Sequence, residues 1–283
     1  MTPYEHEPAL ESESILLRIC LPAVSSGWAG LSAWKRGGAA VTLDVWQWVL
    51  AVAAALFIGV SKTAIGGMGL VSVAIFANMI PAREASGFVL PLLICGDLVA
   101  VKSYQQHTQW KHLLKLFPWT AGGVLIGWLA MGRIDDSQAS RLIGVIVLGM
   151  IALHLWRRRK DMKPEDHGMV FAAMIGILAG FTTLVANAAG SLMAIYLLAM
   201  RMPKAEFMGT AAVFFFLLNV FKVPFMVNLE LINWSSVTGN LVLTPAVFVG
   251  AWFGRKLLKK INQQLFENLA LIASAIAGLK LLW

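Results

Sequence analysis

Three ionisable side chains, Lys62, Asp97 and Lys222, stand inside otherwise apolar stretches of this chain. A charge at the centre of a hydrocarbon layer costs roughly 3 kcal/mol on insertion scales, so each of them needs a partner or a purpose. With all three charged, the interior is net positive and favours an anion over a cation. Lys62 lies in GVSKTAIGGMGL, Gly59 to Leu70, between Ser61 and Thr63 and shortly before Gly66, Gly67 and Gly69. Glycines at that density allow a sharp break, and a helix restarting after it exposes unpaired N–H groups and the positive end of its dipole. An ammonium, two hydroxyls and free amide protons together can replace the hydration of an oxyanion. The same residues also have structural roles open to them: a lysine can snorkel to the interface along its own stem, and glycines can let helices pack closely.

A second polar interruption, TTLVANAAG from Thr182 to Gly190, carries Thr182, Thr183, Asn187 and Gly190 just before another apolar piece. Asn219 precedes Lys222 by one helical turn, which puts both on one face. Lys222 reads as a second anion ligand. Asp97 reads as a counter-charge that holds a lysine when the site is empty, or as a proton acceptor during a cycle, or as half of a structural ion pair. The histidines lie in polar or basic connections, no HExxH is present, and no GxxxxGK[ST] occurs. The sequence therefore points to no metal, no cofactor, no catalytic constellation and no nucleotide-driven step.

These residues need elements to hold them, and the composition says which solvent those elements see. The chain has 283 residues, 58% of them hydrophobic and 13% charged, with a mean hydropathy of +0.72. A water-soluble domain carries about a quarter charged residues. Apolar pieces, most of them near the roughly 17–20 residues that a helix needs to cross a bilayer, follow one another from Leu43 to Trp283. The expected class is all-α, a polytopic transmembrane helical bundle. The formal charge of +8 does not indicate nucleic acid, because the cations fall in short loops between apolar pieces. Cys20 and Cys95 form no framework.

The chain is written twice. Gly59, Ser61, Lys62 and Gly69 fall on Gly180, Thr182, Thr183 and Gly190; Pro81, Glu84 and Gly87 on Pro203, Glu206 and Gly209; Asp97 on Asn219; Trp110 on Trp234; Gly123 and Gly127 on Gly250 and Gly254. Matched prolines, glycines and tryptophans in one order indicate duplication rather than shared greasiness. Repeat one is expected over 43–160 and repeat two over 161–283. Five pieces are expected in each: 43–60, 64–80, 85–101, 113–132 and 139–156, then 169–186, 188–200, 206–227, 236–254 and 265–283. The first two of each copy are either full spans or half-helices of a re-entrant hairpin. Three or five crossings per copy is odd either way, so the copies should be inverted.

Charge agrees with inversion. Placing Trp156-RRRKDMK in the cytoplasm puts Lys102, Lys111, Lys115, Arg201, Lys204 and the Arg255–Lys260 cluster there too, roughly two cations inside for each one outside. Matching loops have opposite character: RIDDSQAS is acidic where RKLLKKINQQ is basic. Residues 1–42 begin with Glu5, Glu7, Glu11 and Glu13 and are expected to be an N-terminal extension, surface-lying or disordered, not a cleaved signal.

The stretches GVSKTAIGGMG, PAREASGFVLPLLICGDLVAV, WKHLLKLFPW, FTTLVANAAG and RMPKAEFMGTAAVFFFLLNVFKVPF together resemble the TauE/SafE sulfite-exporter family, in order, over about residues 46–283. The resemblance implies a multi-pass carrier of the cell inner membrane, usually described with about eight spans, that moves sulfite or organosulfonates. Inverted repeats of discontinuous helices bind substrate at the midplane between the copies. The expected function is export of a small anion by alternating access, with Ser61, Lys62, Thr63, Gly66, Gly67, Gly69, Thr182, Thr183, Asn187, Gly190, Asn219 and Lys222 as substrate-binding candidates and Asp97 as coupling or counter-charge. A passive anion channel and a scaffold subunit are the alternatives, and the chain could form an oligomer.

Overall fold

The computed structural model describes residues 34–36, 39–41, 44–64, 72, 75–76, 79, 82–131, 136–159, 168–232, 234–280 and 282. The chain divides into Met1–Trp46 and Gln47–Trp283. In the first unit Trp34–Arg36 (β1) and Ala39–Val41 (β2) pair antiparallel, Trp34 opposite Val41. The rest of the expected extension over 1–42 falls outside the described residues.

Nine α-helices are described: α1 Val45–Thr63, α2 Ala82–Tyr104, α3 Trp110–Ala130, α4 Asp136–Arg159, α5 Met169–Ala186, α6 Ala189–Ala199, α7 Lys204–Asn228, α8 Trp234–Lys260 and α9 Gln263–Lys280. They coincide with nine of the ten expected apolar pieces; most of the remaining piece, 64–80, is outside the described residues, as are Gly66, Gly67 and Gly69. Among the described residues, five helical stretches are long and apolar enough to cross a membrane: Val45–Thr63, Glu84–His107, Trp110–Ala130, Lys204–Asn228 and Gly239–Lys260. Val45, Ile126, Val170, Leu241 and Phe253 are exposed on outward faces. Apolar side chains so placed suit contact with lipid, while each helix satisfies its own backbone. The chain is a helical membrane bundle.

Inversion can be followed from contact to contact. α2 and α7 occupy matched positions in the two copies, and they run antiparallel: Gly87 lies on Leu231, Gly209 on Tyr104 and Thr108, and between these crossings Asp97 meets its own counterpart Asn219. A contact between equivalent residues lies on the pseudo-twofold axis that relates the copies. The first helix of each copy also packs, in parallel, on the helix that forms the fourth expected piece of the opposite copy. Gly59 of α1 lies against Val247, Gly250 and Ala251 of α8, and Gly180 of α5 lies against Thr120, Gly123 and Val124 of α3. Any Cβ at Gly59 or Gly180 would meet backbone atoms, so these matched glycines set the close approach. α3 and α8 also share an internal proline at matched positions, Pro118 and Pro245.

The basic segments around Tyr104–His112, Lys204 and Arg255–Ile261 gather at one end of the bundle. Tyr104 at the end of α2 donates to Thr63 O at the end of α1 (2.9 Å), Arg255 of α8 reaches Ser103 Oγ (3.5 Å), and Lys204 at the start of α7 caps the end of α8 through Leu258 O and Ile261 O. His112 at the start of α3 meets Tyr196 near the end of α6, whose ring stacks on Phe171 at the start of α5. α6 thus turns back along α5. At about 1.5 Å per residue its 11 residues span roughly 16 Å, half a bilayer core, and nearly all of them are buried. A half-helix of this kind is tolerated at membrane depth only where protein surrounds it.

Candidate functional site

α5 ends because Asn187 adopts the left-handed conformation, φ 53° and ψ 30°, with its N–H bonded to Thr183 O and that of Ala188 to Thr182 O. Asparagine takes this conformation more readily than most residues, which makes it a natural helix terminator. α6 then starts at Ala189 with no side chain capping its first N–H groups. Ala188, Ala189 and Gly190 open onto a cavity of about 50 Å³ whose other lining residues include Ser61, Lys62, Asp97, Thr183, Asn187, Phe215 and Asn219. One water needs roughly 10–15 Å³ on this measure, so the space suits a few waters or one small anion.

Lys62 enters from α1, its Nζ 2.7 Å from Asp97 Oδ1 and 4.7 Å from the centre of the Phe215 ring. Gly96 makes room for its stem, since a Cβ there would lie 3.1 Å from Lys62 Cγ. Asp97, fully buried, uses its other oxygen Oδ2 to accept from Asn219 Nδ2 at 2.6 Å. The carboxylate is therefore clamped on the axis by one group from each copy.

Lys222 has a different task. It is fully buried, and its Nζ donates to Thr183 O (3.1 Å), Thr183 Oγ1 (3.3 Å) and Asn187 Oδ1. An ammonium has three protons, and all three are used. This positive charge faces the C-terminal end of α5, where the helix dipole is negative. Asn187 is committed as well: its Nδ2 donates to Ser86 O (2.9 Å) and Ser86 Oγ (3.1 Å) of α2. Lys222 and Asn187 tie the α5–α6 break to α7 and α2, leaving Lys62 as the ammonium that lines the cavity among the described residues.

The remaining candidates divide by helix face. Ser61 lines the cavity while its hydroxyl donates to Ile58 O (2.9 Å). Thr63 lies outside the lining and binds across to α8, its Oγ1 within reach of Gly59 O (3.0 Å) and Ala251 O (2.9 Å). Thr182 likewise stays off the lining and bonds Ala179 O (3.3 Å). The reason is that α1 and α5 continue through these residues: consecutive positions on a helix point about 100° apart and cannot all converge. Sequence reasoning missed Ser86 and Phe215. The available signal was helical register, because Ser86 precedes Asp97 by about three turns on the same face of α2, and Phe215 precedes Asn219 by about one turn on α7.

Two inverted helical halves enclosing a buried, charged cavity at their common axis make this a multi-pass membrane protein with the architecture of secondary transporters. The chain belongs to the sulfite exporter TauE/SafE family, whose model matches residues 51–281. No curated protein and no solved structure matches the chain.

Proposed function

We propose that the chain is an inner-membrane carrier that moves sulfite or an organosulfonate by alternating access, with export as its direction. Family membership supports transport of such an anion. The observation that carries the reading is the cavity on the pseudo-twofold axis, where Lys62 and the uncapped start of α6 converge. Lys62 is the principal ligand, swinging from Asp97 to the anion. Ser61 and the first N–H groups of α6 complete the oxyanion contacts, and charge-assisted bonds of this kind are about twice as strong as neutral ones. Asn219 and Thr183 shape the pocket; Lys222 and Asn187 hold its wall. Rocking of one half against the other about the α2–α7 crossing would expose the cavity to each side in turn.

The test is flux into proteoliposomes across sulfite, sulfate, methanesulfonate, sulfoacetate and acetate. Saturable uptake of sulfite or a sulfonate, accelerated by the same anion on the opposite side, is expected. Flux that rises linearly with concentration and shows no such acceleration would indicate a channel instead.

A further inference from the structure

An anion that reaches Lys62 also meets a carboxylate. Asp97 is fully buried, lines the same cavity and already holds Lys62 Nζ at 2.7 Å. Two negative charges brought within a few ångströms in a poorly screened interior repel strongly, and the repulsion cancels most of what one ammonium offers. Among the described residues, the charged groups that act on Asp97 are Lys62 from α1 and Lys222 from α7. Lys222 has no proton to spare, being bonded to Thr183 and Asn187. Asn219 from α7 is neutral, and the cavity residues from α5 and α6, Thr183 to Gly190, carry no ionisable side chain. α8 approaches this stretch of α2 with Val247 beside Gly96 and Thr244 beside Cys95, again without a charge. The described residues offer no further cation, so a proton on Asp97 would balance an incoming anion.

We propose that Asp97 is a proton-coupling site, so that a singly charged oxyanion or sulfonate and one proton cross the membrane together. This rests on the transport reading given above. As the anion arrives, Asp97 Oδ1 takes a proton from hydronium on the open side, forming an O–H bond and releasing water. Lys62 moves from Oδ1 to an anion oxygen, and Oδ2 continues to accept from Asn219. On the opposite side the anion leaves, the proton returns to water and the Lys62–Asp97 pair closes. With the Lys222 charge set apart at the C-terminal end of α5, only two states balance Lys62, both ligands bound or neither. Anion alone leaves two negative charges against Lys62, and proton alone leaves Lys62 without a counter-ion. The direction of net movement then follows the combined gradients of anion and proton.

The experiment uses the full chain in proteoliposomes containing a trapped pH dye, with methanesulfonate and sulfite as probes. Methanesulfonate stays fully ionised throughout the working range, so any proton moving with it is carried by the protein. An inward methanesulfonate gradient is expected to acidify the lumen by about one proton per anion, at a rate independent of an imposed membrane potential. In Asp97→Asn the anion flux that remains should carry no proton, and Asp97→Glu should recover acidification. Methanesulfonate flux without acidification, flux driven by potential, or acidification in Asp97→Asn equal to wild type would each overturn coupling while leaving transport intact. If sulfite moves and methanesulfonate does not, the dependence of sulfite flux on an imposed membrane potential decides instead, because bisulfite releases a proton of its own: flux independent of potential in wild type and driven by it in Asp97→Asn is expected, and potential-driven flux in wild type would overturn coupling. If neither moves, the transport reading fails, and coupling with it.

Discussion

Replacing Lys62 by alanine is expected to lower sulfite or sulfonate flux at least about 100-fold, because a charge-assisted contact in a poorly solvated cavity is worth about 3 kcal/mol. The single variant also leaves Asp97, fully buried, without the ammonium that now sits 2.7 Å away. Orphaning one member of a buried pair costs about 3–5 kcal/mol, so the yield and melting temperature of Lys62→Ala should fall too. Lys62→Ala combined with Asp97→Ala separates the two effects. Removing both charges relieves the orphaned carboxylate, so the double variant should recover much of the thermal stability in detergent and still fail to transport. Wild-type flux in that double variant would show that the pair is structural and that the anion passes elsewhere.

Lys222→Met is expected to act through stability. Its loss strips Thr183 Oγ1 and Asn187 Oδ1 of a shared donor, leaves Thr183 O with the Asn187 N–H alone, and leaves the C-terminal end of α5 without its cation. Buried acceptors left without partners cost about 1–3 kcal/mol each. A net loss of about 3 kcal/mol corresponds to a melting temperature lower by roughly 6–12 °C at the sensitivity typical of mid-sized domains. Lys222→Arg should not restore it, since a planar guanidinium cannot place three donors around one point as an ammonium does. Melting followed by size-exclusion chromatography of the purified variants provides the measurement. A Lys222→Met protein as stable as wild type, with reduced anion affinity, would return Lys222 to the ligand set.

The fold was largely legible because duplication leaves marks that hydropathy alone does not. Gly87 and Gly209, or Gly123 and Gly250, are matched in sequence because each fits the same helix crossing in an inverted half. The Asp97 match to Asn219 identified the residues that meet on the axis, although nothing in the order of residues said that they touch. The site was less legible. Ser61, Lys62 and Thr63 read as a polar break, yet α1 runs through all three and turns Thr63 toward α8. The two lysines also look equivalent in the sequence. They differ because Lys222 finds a helix end and an asparagine beside it, whereas Lys62 finds, among the described residues, Asp97 and an aromatic ring. Such distinctions depend on what the opposite copy presents, and that is set by packing.

The central claim is that a small anion binds at Lys62 on the axis between the two halves. A ligand that binds only the folded state raises its melting temperature in proportion to its occupancy. Sulfite and methanesulfonate, titrated against chloride at constant ionic strength, should therefore stabilise the purified wild-type protein, with no shift in the Lys62→Ala, Asp97→Ala double variant. An equal, saturable shift in that variant would contradict the account.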